Sequence, residues 1–380
     1  MKNKIICIVF LLLVFGFCAF DVFTPVKERS EWENKKLAQR PTLTVSSLLK
    51  GEYGKDYESF ITDQFVMRDR LVRARYIAEL GLGKKDVGGI YVGGNALYSV
   101  QSQPDYENID KSIAAMEKFT DKLNASQDEK ITPYLMVVPS STYICRDQLP
   151  AFAPVVDEKE IFDYISKRSD KFDFIDITDK MYESRTDYIY FHTDHHWTGD
   201  GALIGYNAFL EAMGREPVSK DSFTVSTLTD SFLGTHCSKS GAVGIDPDTM
   251  ERLDRGEVTS FEVYDGKESQ VYDSMYFEEY LEKKDKYSYY LGENKPLVRI
   301  KTESEGGRIL VFKDSYAHIM APMMIEDFSE IVMVDLRHVS QPVGDLLDQK
   351  LGADIKDFDT VLFLYSADTF TTQYEMVWIK

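Results

Sequence analysis

The segment Tyr190-Phe191-His192-Thr193-Asp194-His195-His196-Trp197-Thr198-Gly199-Asp200-Gly201 concentrates titratable side chains at a change of secondary structure. It holds three of the six histidines and one of the three tryptophans in the 380-residue chain. Apolar residues with helical spacing follow it: Leu203, Tyr206, Leu210 and Met213. This pattern predicts an extended, polar lead-in to a helix that ends at Gly214.

Two residues of this segment suggest a catalytic pair. In an extended chain, residues two apart point to the same side, so Asp194 and His196 are predicted to share one face while His195 points away. A carboxylate that orients an imidazole is two thirds of a Ser-His-Asp triad. The pattern therefore predicts a nucleophile elsewhere in the chain.

The predicted nucleophile is Ser315. An apolar run at residues 309–312 has the pattern of a buried strand, and Ser315 follows it where a segment of helical character begins. A serine on a strand-to-helix turn is well placed for attack, with main-chain N–H groups nearby to bind an oxyanion. Asp194, His196 and Ser315 are therefore the predicted catalytic residues. Ser140 also follows an apolar run, but there a turn or helix-capping role is the favoured interpretation.

The Asp-His-His-Trp run at 194–197 and the later Asp314-Ser315-Tyr316 resemble the DHHW-motif protein family. That family is similar to the SGNH-hydrolase-like domains of the alginate O-acetyltransferases. The resemblance covers most of the chain, including residues 33–38 and 63–69. The order of catalytic residues is reversed relative to ordinary SGNH enzymes, as in the permuted alginate-type members. One departure is that Lys313 stands where the Gly-Asp-Ser block of the superfamily has glycine.

The resemblance implies an extracytoplasmic O-acetyltransferase that acts on a cell-surface or secreted polysaccharide through an acetyl-serine intermediate. It also implies a membrane-bound O-acyltransferase as the partner that supplies acetyl groups. Arg337, Tyr316 and Trp197 are predicted to contact the substrate, although a salt bridge to Asp335 is an equal alternative for Arg337. No cofactor and no metal are predicted.

Several alternatives stay open. A carbohydrate acetyl esterase would use the same residues, and the missing glycine leaves room for a catalytically inactive scaffold that serves an acyltransferase. The segment could also cap the helix with Thr198 and pack Trp197 in the core. The aromatic cluster at residues 287–290 suits either sugar stacking or partial burial.

A metal site is a further alternative, because imidazole and carboxylate groups are common metal ligands. Its ligands would be His192, Asp194, His195 and His196. Adjacent histidines point apart in an extended chain, however, so the triad is favoured over the metal site.

Short apolar runs alternate with amphipathic helical patterns from residue 101 to the end, which predicts an α/β fold with a mostly parallel sheet flanked by helices. The predicted strands lie at residues 134–138, 172–177, 309–312, 331–334 and 361–365. Residues 101–380 are predicted to form this α/β domain, which the family resemblance implies to be SGNH-hydrolase-like and permuted. Residues 25–100 are predicted to form a helical segment packed on it.

Composition and the N-terminus indicate where the chain works. The net charge of −19 and the pI of about 4.8 exclude the basic footprint that nucleic-acid binding needs. Lys2 and Lys4 precede an apolar run at residues 5–20, which predicts a signal-anchor or signal peptide over residues 1–24 and a domain outside the cytoplasm. Cys145 and Cys237 could form one disulfide or remain two buried thiols.

Overall fold

The computed structural model describes residues 2–30, 32–33, 35–125, 129–266, 268–374 and 376–379. The chain divides into two compact units, Met1–Gly88 with Thr235–Gly244, and Gly89–Gly234 with Ile245–Lys380. The boundaries expected after residues 24 and 100 stay predictions.

The secondary structure is mixed. The helices are α1 (Lys2–Phe23), α2 (Val45–Leu49), α3 (Glu52–Gln64), α4 (Arg68–Gly81), α5 (Tyr106–Leu123), α6 (Ser141–Ile144), α7 (Glu158–Ser166), α8 (Thr178–Glu183), α9 (Gly199–Ala212), α10 (Thr235–Ser240), α11 (Ala317–Met320), α12 (Val343–Leu351) and α13 (Ala367–Thr372). The strands are β1 (Arg29–Ser30), β2 (Lys35–Lys36), β3 (Asp86–Val87), β4 (Ile90–Gly93), β5 (Ala96–Ser99), β6 (Tyr134–Val138), β7 (Asp173–Ile175), β8 (Thr224–Phe232), β9 (Asp248–Asp254), β10 (Ser260–Asp265), β11 (Glu268–Tyr272), β12 (Leu297–Lys301), β13 (Arg308–Lys313), β14 (Glu330–Val334) and β15 (Thr360–Ser366).

Helix α1 covers most of the segment predicted to be a signal-anchor or signal peptide. Among the described residues, no helix combines the length and the apolar character needed to cross a membrane. The location of the chain outside the cytoplasm stays a prediction.

The second unit is built on an eight-stranded sheet in the order β11-β10-β12-β14-β13-β15-β6-β7. The strands from β14 to β7 pair in parallel, whereas β11, β10 and β12 add antiparallel pairs at one side. The predicted α/β class and mostly parallel sheet are confirmed. The antiparallel extension was not predicted, because its strands are interrupted by polar and charged residues and lack the continuous apolar runs of the parallel strands.

Both faces of this sheet are buried. Alternate side chains of a strand point to opposite faces, so Ile309 and Val311 of β13 join one core cluster, and Leu310 and Phe312 join the other. Helix α9 lies in the first cluster and α5 in the second. Burying each such apolar side chain contributes about 1.5–3 kcal/mol, which explains why the central strands are continuous apolar runs.

Parallel pairing places the carboxyl ends of four strands at one edge of the sheet. Beyond these ends come Asp335 after β14, Ser315 after β13, Ala367 after β15 and Ser140 after β6. Ligands of open α/β sheets bind outside the carboxyl ends of the strands, so this edge is where chemistry is expected.

Candidate active site

The histidine segment is a bent loop whose two ends are held together. An isolated bridge joins Tyr190 to Trp197, and the N–H of Thr198 donates to the carbonyl of Ile189 over 3.0 Å. Residues 192–196 between these ends are bends rather than strand. The predicted extended conformation is therefore wrong here, and Thr198 then caps helix α9 by accepting from the Gly201 N–H.

The bend brings Asp194 and His196 together more closely than a strand would. Asp194 Oδ1 lies 2.6 Å from His196 Nδ1 and also accepts the main-chain N–H of His196 over 3.1 Å. Both side chains are buried. The carboxylate thus fixes both the ring orientation and the tautomer of the imidazole, because it accepts a hydrogen bond from the Nδ1–H group and leaves Nε2 as the basic nitrogen.

Ser315 lies on the other side of the same imidazole. His196 Nε2 is 2.7 Å from Ser315 Oγ, across 119 residues of sequence. The structure therefore places the three predicted catalytic residues in one hydrogen-bonded line. This is the geometry in which an imidazole takes the proton of an attacking hydroxyl.

Burial keeps His196 neutral over a wide pH range. The pKa of His196 is lowered to about 4, first by its removal from water and then by the charge of His195, while Asp194 opposes the shift. A neutral imidazole can accept a proton, so His196 is ready to act as a base above about pH 4.

The serine turn is fixed by its own neighbour, Asp314. The buried carboxylate of Asp314 accepts the N–H of Tyr316 over 3.0 Å, and the N–H and hydroxyl of Ser366 over 2.8 and 2.7 Å. Two strands, β13 and β15, are thereby joined at their carboxyl ends. The Tyr316 N–H is occupied in this clamp, whereas the Ser315 N–H has no hydrogen-bond acceptor within the described part of the chain.

Tyr287 packs on the imidazole from a distant loop. Its ring is stacked on His196 with centroids 3.7 Å apart and planes 7° apart. Its hydroxyl donates to the carbonyl of Ser315 over 3.0 Å. Burial raises the pKa of Tyr287 well above its ordinary value, so the phenol stays protonated and the hydrogen bond is kept. Tyr287 thus contacts both the base and the serine turn.

Two residues predicted to contact substrate instead hold the serine turn in place. Trp197 is fully buried, and its Nε1–H donates to the carbonyl of Tyr316 over 2.9 Å. Tyr316 is also buried, and its hydroxyl donates to the carbonyl of His195. A fully buried indole leaves no face on which a sugar could rest, so the predicted substrate contact of Trp197 does not fit this structure. The alternative of core packing for Trp197 does fit.

The predicted separation of the two adjacent histidines is also wrong. The rings of His195 and His196 lie 3.9 Å apart because the segment bends, and ligand atoms of Asp194, His195 and His196 fall within 4.8 Å of one another. Both nitrogens of His196 are nevertheless occupied, one by Asp194 and the other by Ser315. A metal at this cluster would have to displace one of those hydrogen bonds, so the residues suit a proton relay better than a metal site.

The sequence matches the DHHW protein family model over residues 77–334, which is more than half of the chain. The chain belongs to the DHHW family. The predicted resemblance is confirmed. A comparison with curated proteins gave no significant match.

Solved structures show where the DHHW fold recurs. A DHHW family protein from Eubacterium siraeum has 18% identity and a TM-score of 0.63, over 76% of this chain and 94% of that one. Bacillus cereus PatB1, determined with a sulfonyl adduct, has 19% identity and a TM-score of 0.62, over 77% and 100%. The O-acetyltransferase domain of Pseudomonas putida AlgJ has 14% identity and a TM-score of 0.46, over 75% and 93%. At such identities the first two likenesses show a shared fold.

In this DHHW protein the unexpected lysine is part of a buried network. Lys313 Nζ lies 2.7 Å from His318 Nε2 and 3.2 Å from Asp335 Oδ2. The same carboxylate accepts two hydrogen bonds from Arg337, over 2.9 and 2.7 Å. The salt bridge considered for Arg337 is therefore the observed arrangement. Lys313 thus ties the end of β13 to Asp335, which directly follows β14.

The most informative residue that the sequence did not reveal is Asp248, at the start of β9. Its buried carboxylate accepts the main-chain N–H groups of His192 and Thr193 over 2.7 and 2.8 Å, and the hydroxyls of Thr193 and Tyr188 over 2.5 and 2.6 Å. Four donors from the histidine segment and its approach thus converge on one side chain. Nothing in the local sequence around Asp248 signals this role.

Cys145 and Cys237 are both buried as thiols. The alternative of two buried thiols is therefore the observed one. Burial raises the pKa of Cys145 to about 12, which makes its thiol unreactive at neutral pH.

Proposed function

We propose that this DHHW protein is an O-acetyltransferase that moves acetyl groups to hydroxyls of a cell-surface or secreted polysaccharide. The observation that carries the proposal is the hydrogen-bonded line from Asp194 through His196 to Ser315, at the carboxyl edge of the sheet. Such a line serves acyl transfer on several unrelated folds.

In the first step, Ser315 Oγ attacks the acetyl carbonyl of the donor while His196 Nε2 takes the hydroxyl proton. Asp194 keeps Nδ1 protonated and stabilises the imidazolium that forms. The carbonyl oxygen becomes an oxyanion, and the Ser315 N–H is a suitable donor to it because no other group in the described residues uses that proton. The leaving group then takes the proton from His196, and acetyl-serine remains.

In the second step, a sugar hydroxyl attacks the acetyl-serine. His196 Nε2 now removes the proton of that hydroxyl and returns it to Ser315 Oγ as the ester bond to the serine breaks. If water takes the place of the sugar, the same residues make the protein an esterase. The resemblance to the alginate-type enzymes favours transfer over hydrolysis.

The cellular setting is part of the same proposal. An extracytoplasmic location and a membrane-bound O-acyltransferase that supplies acetyl groups fit the apolar N-terminal run and the family resemblance. An inactive scaffold is disfavoured, because a scaffold has no need for a serine, an imidazole and a carboxylate in hydrogen-bonding order.

The test is acetyl release by the full chain from a chromogenic acetyl ester, with and without oligosaccharide acceptors. Ser315→Ala and His196→Ala are each expected to lower kcat by about 10³-fold or more. Ser140→Ala is a matched control, since Ser140 also follows a strand at this edge but donates to Glu158 rather than to a histidine. Acetylated oligosaccharide among the products supports transfer, and free acetate alone supports the esterase.

A second readout identifies the nucleophile directly. Sulfonyl reagents modify activated serine hydroxyls, so a sulfonyl fluoride is expected to label Ser315 in the wild-type protein and not in Ser315→Ala. If the variants and the wild type share one background rate and no serine is labelled, the protein is not a serine acyltransferase.

A further inference from the structure

The N-terminal unit contains a cavity of about 380 Å³ that the proposed chemistry does not use. Its walls come from Leu37 and residues 63–69, which belong to the two stretches of the family resemblance that carry no catalytic residue, and from the chain just after α1. Four cationic side chains contribute to the lining: Lys27, Arg68, Arg70 and Arg73. This is a local concentration of positive charge in a chain whose net charge is −19.

The carboxylates at the cavity are already engaged. Asp63 accepts Lys35 Nζ over 2.8 Å and the Ala38 N–H over 2.9 Å. Asp69 accepts the hydroxyl of Ser30 over 3.0 Å. Their oxygens therefore serve largely to hold the walls of the cavity together.

The cationic side chains at the cavity differ in whether they are already paired within the protein. Arg68 pairs with Glu33 and donates to the carbonyl of Thr62 over 3.1 Å, so it is structural. The side chains of Arg70 and Arg73, by contrast, form no hydrogen bond or ion pair with any described residue. An arginine that lines a cavity without a carboxylate partner keeps its planar set of donors for a ligand.

Arg73 is held in place without its donors being used. Its guanidinium lies over the ring of Trp32, 3.6 Å from the centroid, and its Nε is buried with no hydrogen-bond partner. Stacking of this kind fixes the plane of the guanidinium and leaves its edges free. A buried N–H without an acceptor is unfavourable, and an oxygen of a bound anion would satisfy it.

The start of helix α4 adds to the positive character of the cavity. Met67, Arg68 and Arg70 line it, and α4 begins there without a side-chain cap. Met67 itself has φ of 60°, a left-handed conformation that is strained for a non-glycine residue. The start of this 14-residue helix thus lies beside the same space as the two arginines, and its dipole adds positive character there even though the N–H groups of Arg68 and Arg70 already donate to main-chain carbonyls.

We propose that this cavity binds an anionic sugar, through Arg70 and Arg73 to its phosphate or carboxylate group. Guanidinium groups match both kinds of oxyanion in a bidentate manner. The lining also includes the apolar side chains of Leu37, Phe65 and Val66, against which a sugar ring can pack. Its volume lies in the range of about 300–1,000 Å³ typical of small-ligand sites, larger than a lone phosphate needs.

The site goes beyond the proposed function, because it assigns binding and no chemistry. It would allow the chain to bind acidic saccharides independently of Ser315. The negative charge of the ligand could come from a sugar phosphate or from a uronic acid, and the two are distinguished by testing one probe of each kind.

The experiment is isothermal titration calorimetry of the full chain at low ionic strength with glucose 6-phosphate, glucuronate, glucose and inorganic phosphate. At least one anionic sugar is expected to bind about tenfold or more tightly than glucose and inorganic phosphate. Arg70→Gln and Arg73→Gln are each expected to weaken that binding on the order of tenfold, which is the loss of one charge-assisted interaction.

The matched control is Arg75→Gln. Arg75 lies on the same helix and the change removes the same charge, but its guanidinium does not line the cavity and is paired with Glu79 over 2.8 Å. It should leave binding unchanged, and so should Ser315→Ala, which separates this site from the catalytic one. The proposal is overturned if no anionic sugar binds, if Arg75→Gln weakens binding as much as Arg70→Gln does, or if inorganic phosphate binds as tightly as the sugars.

Discussion

The histidine segment and the serine turn are each positioned by one buried carboxylate, but the two carboxylates lie at very different distances along the chain. Asp314 adjoins Ser315 and, through Ser366, ties it to the end of the neighbouring strand β15. Asp248 reaches the histidine segment across 55 residues and binds main-chain N–H groups of His192 and Thr193. On the serine side, the carboxylate is a neighbour of Ser315 in sequence and reaches Ser366 across 52 residues, whereas on the histidine side the carboxylate itself comes from a distant strand.

This difference follows from the backbone on each side. The serine turn continues directly from β13, a strand inside the sheet, so its starting position is set by the ladder of hydrogen bonds. The histidine segment is a bent loop, with several N–H groups that no regular structure can satisfy. A buried acceptor from elsewhere must supply that need, and Asp248 does so.

The largest expected effect tests the point where the two regions meet. Asp194→Asn replaces the carboxylate with an amide that neither fixes the tautomer of His196 nor stabilises its charged form, so kcat is expected to fall by about 10³–10⁴-fold. The measurement is steady-state acetyl release from the chromogenic ester. Asp200→Asn removes an exposed carboxylate from the start of α9 and serves as the control. A decrease in kcat of less than tenfold in Asp194→Asn would contradict the proposed role of Asp194 in orienting His196.

The second effect compares the two buried carboxylates, Asp248 and Asp314, directly. Asp248→Asn and Asp314→Asn each place an amide among N–H and O–H donors, and each is expected to lower the free energy of unfolding by about 3 kcal/mol. The loss should be greater for Asp248, which accepts from four donors, than for Asp314, which accepts from three. Denaturant unfolding measures both, with the exposed Asp230→Asn as the control. An equal loss in the two variants, or a greater loss in Asp314→Asn, would show that Asp248 does not contribute more to stability than Asp314.

The smallest effect concerns the pH dependence of the base. His196 must be neutral to accept a proton, and its pKa is lowered to about 4, so kcat/KM is expected to stay level down to that region and to fall below it. Since burial is the larger cause and His195 the smaller, His195→Ala should move the acid limb to higher pH but keep it below 6.5. A pH–rate profile with an acid limb near 6.5 in the wild type would show that burial does not control this imidazole.

Much of the fold and the identity of the site residues could be predicted from the sequence. The strand at Tyr134–Val138 follows from the sequence residue for residue, because a five-residue apolar run that stops at a proline is typical of a buried strand. Asp194, His196 and Ser315 stand out because they adjoin such elements and because the family motif contains them. These inferences rest on patterns within about 18 residues, where side-chain periodicity and turn chemistry act.

Only the tertiary structure decided how those residues meet. The bend that brings the rings of His195 and His196 together, the ring of Tyr287 on the imidazole, the burial of Trp197 and the contacts of Asp248 all depend on tertiary packing that local patterns do not reveal. None of these contacts has a signature in the local sequence, because each satisfies a requirement that packing creates. A buried N–H needs an acceptor, a flat ring needs a group that packs against it, and a charge needs a group that neutralises it. The sequence by itself thus determined which groups are available for chemistry, and the folded chain determined their distances, their exposure and the pKa of the base.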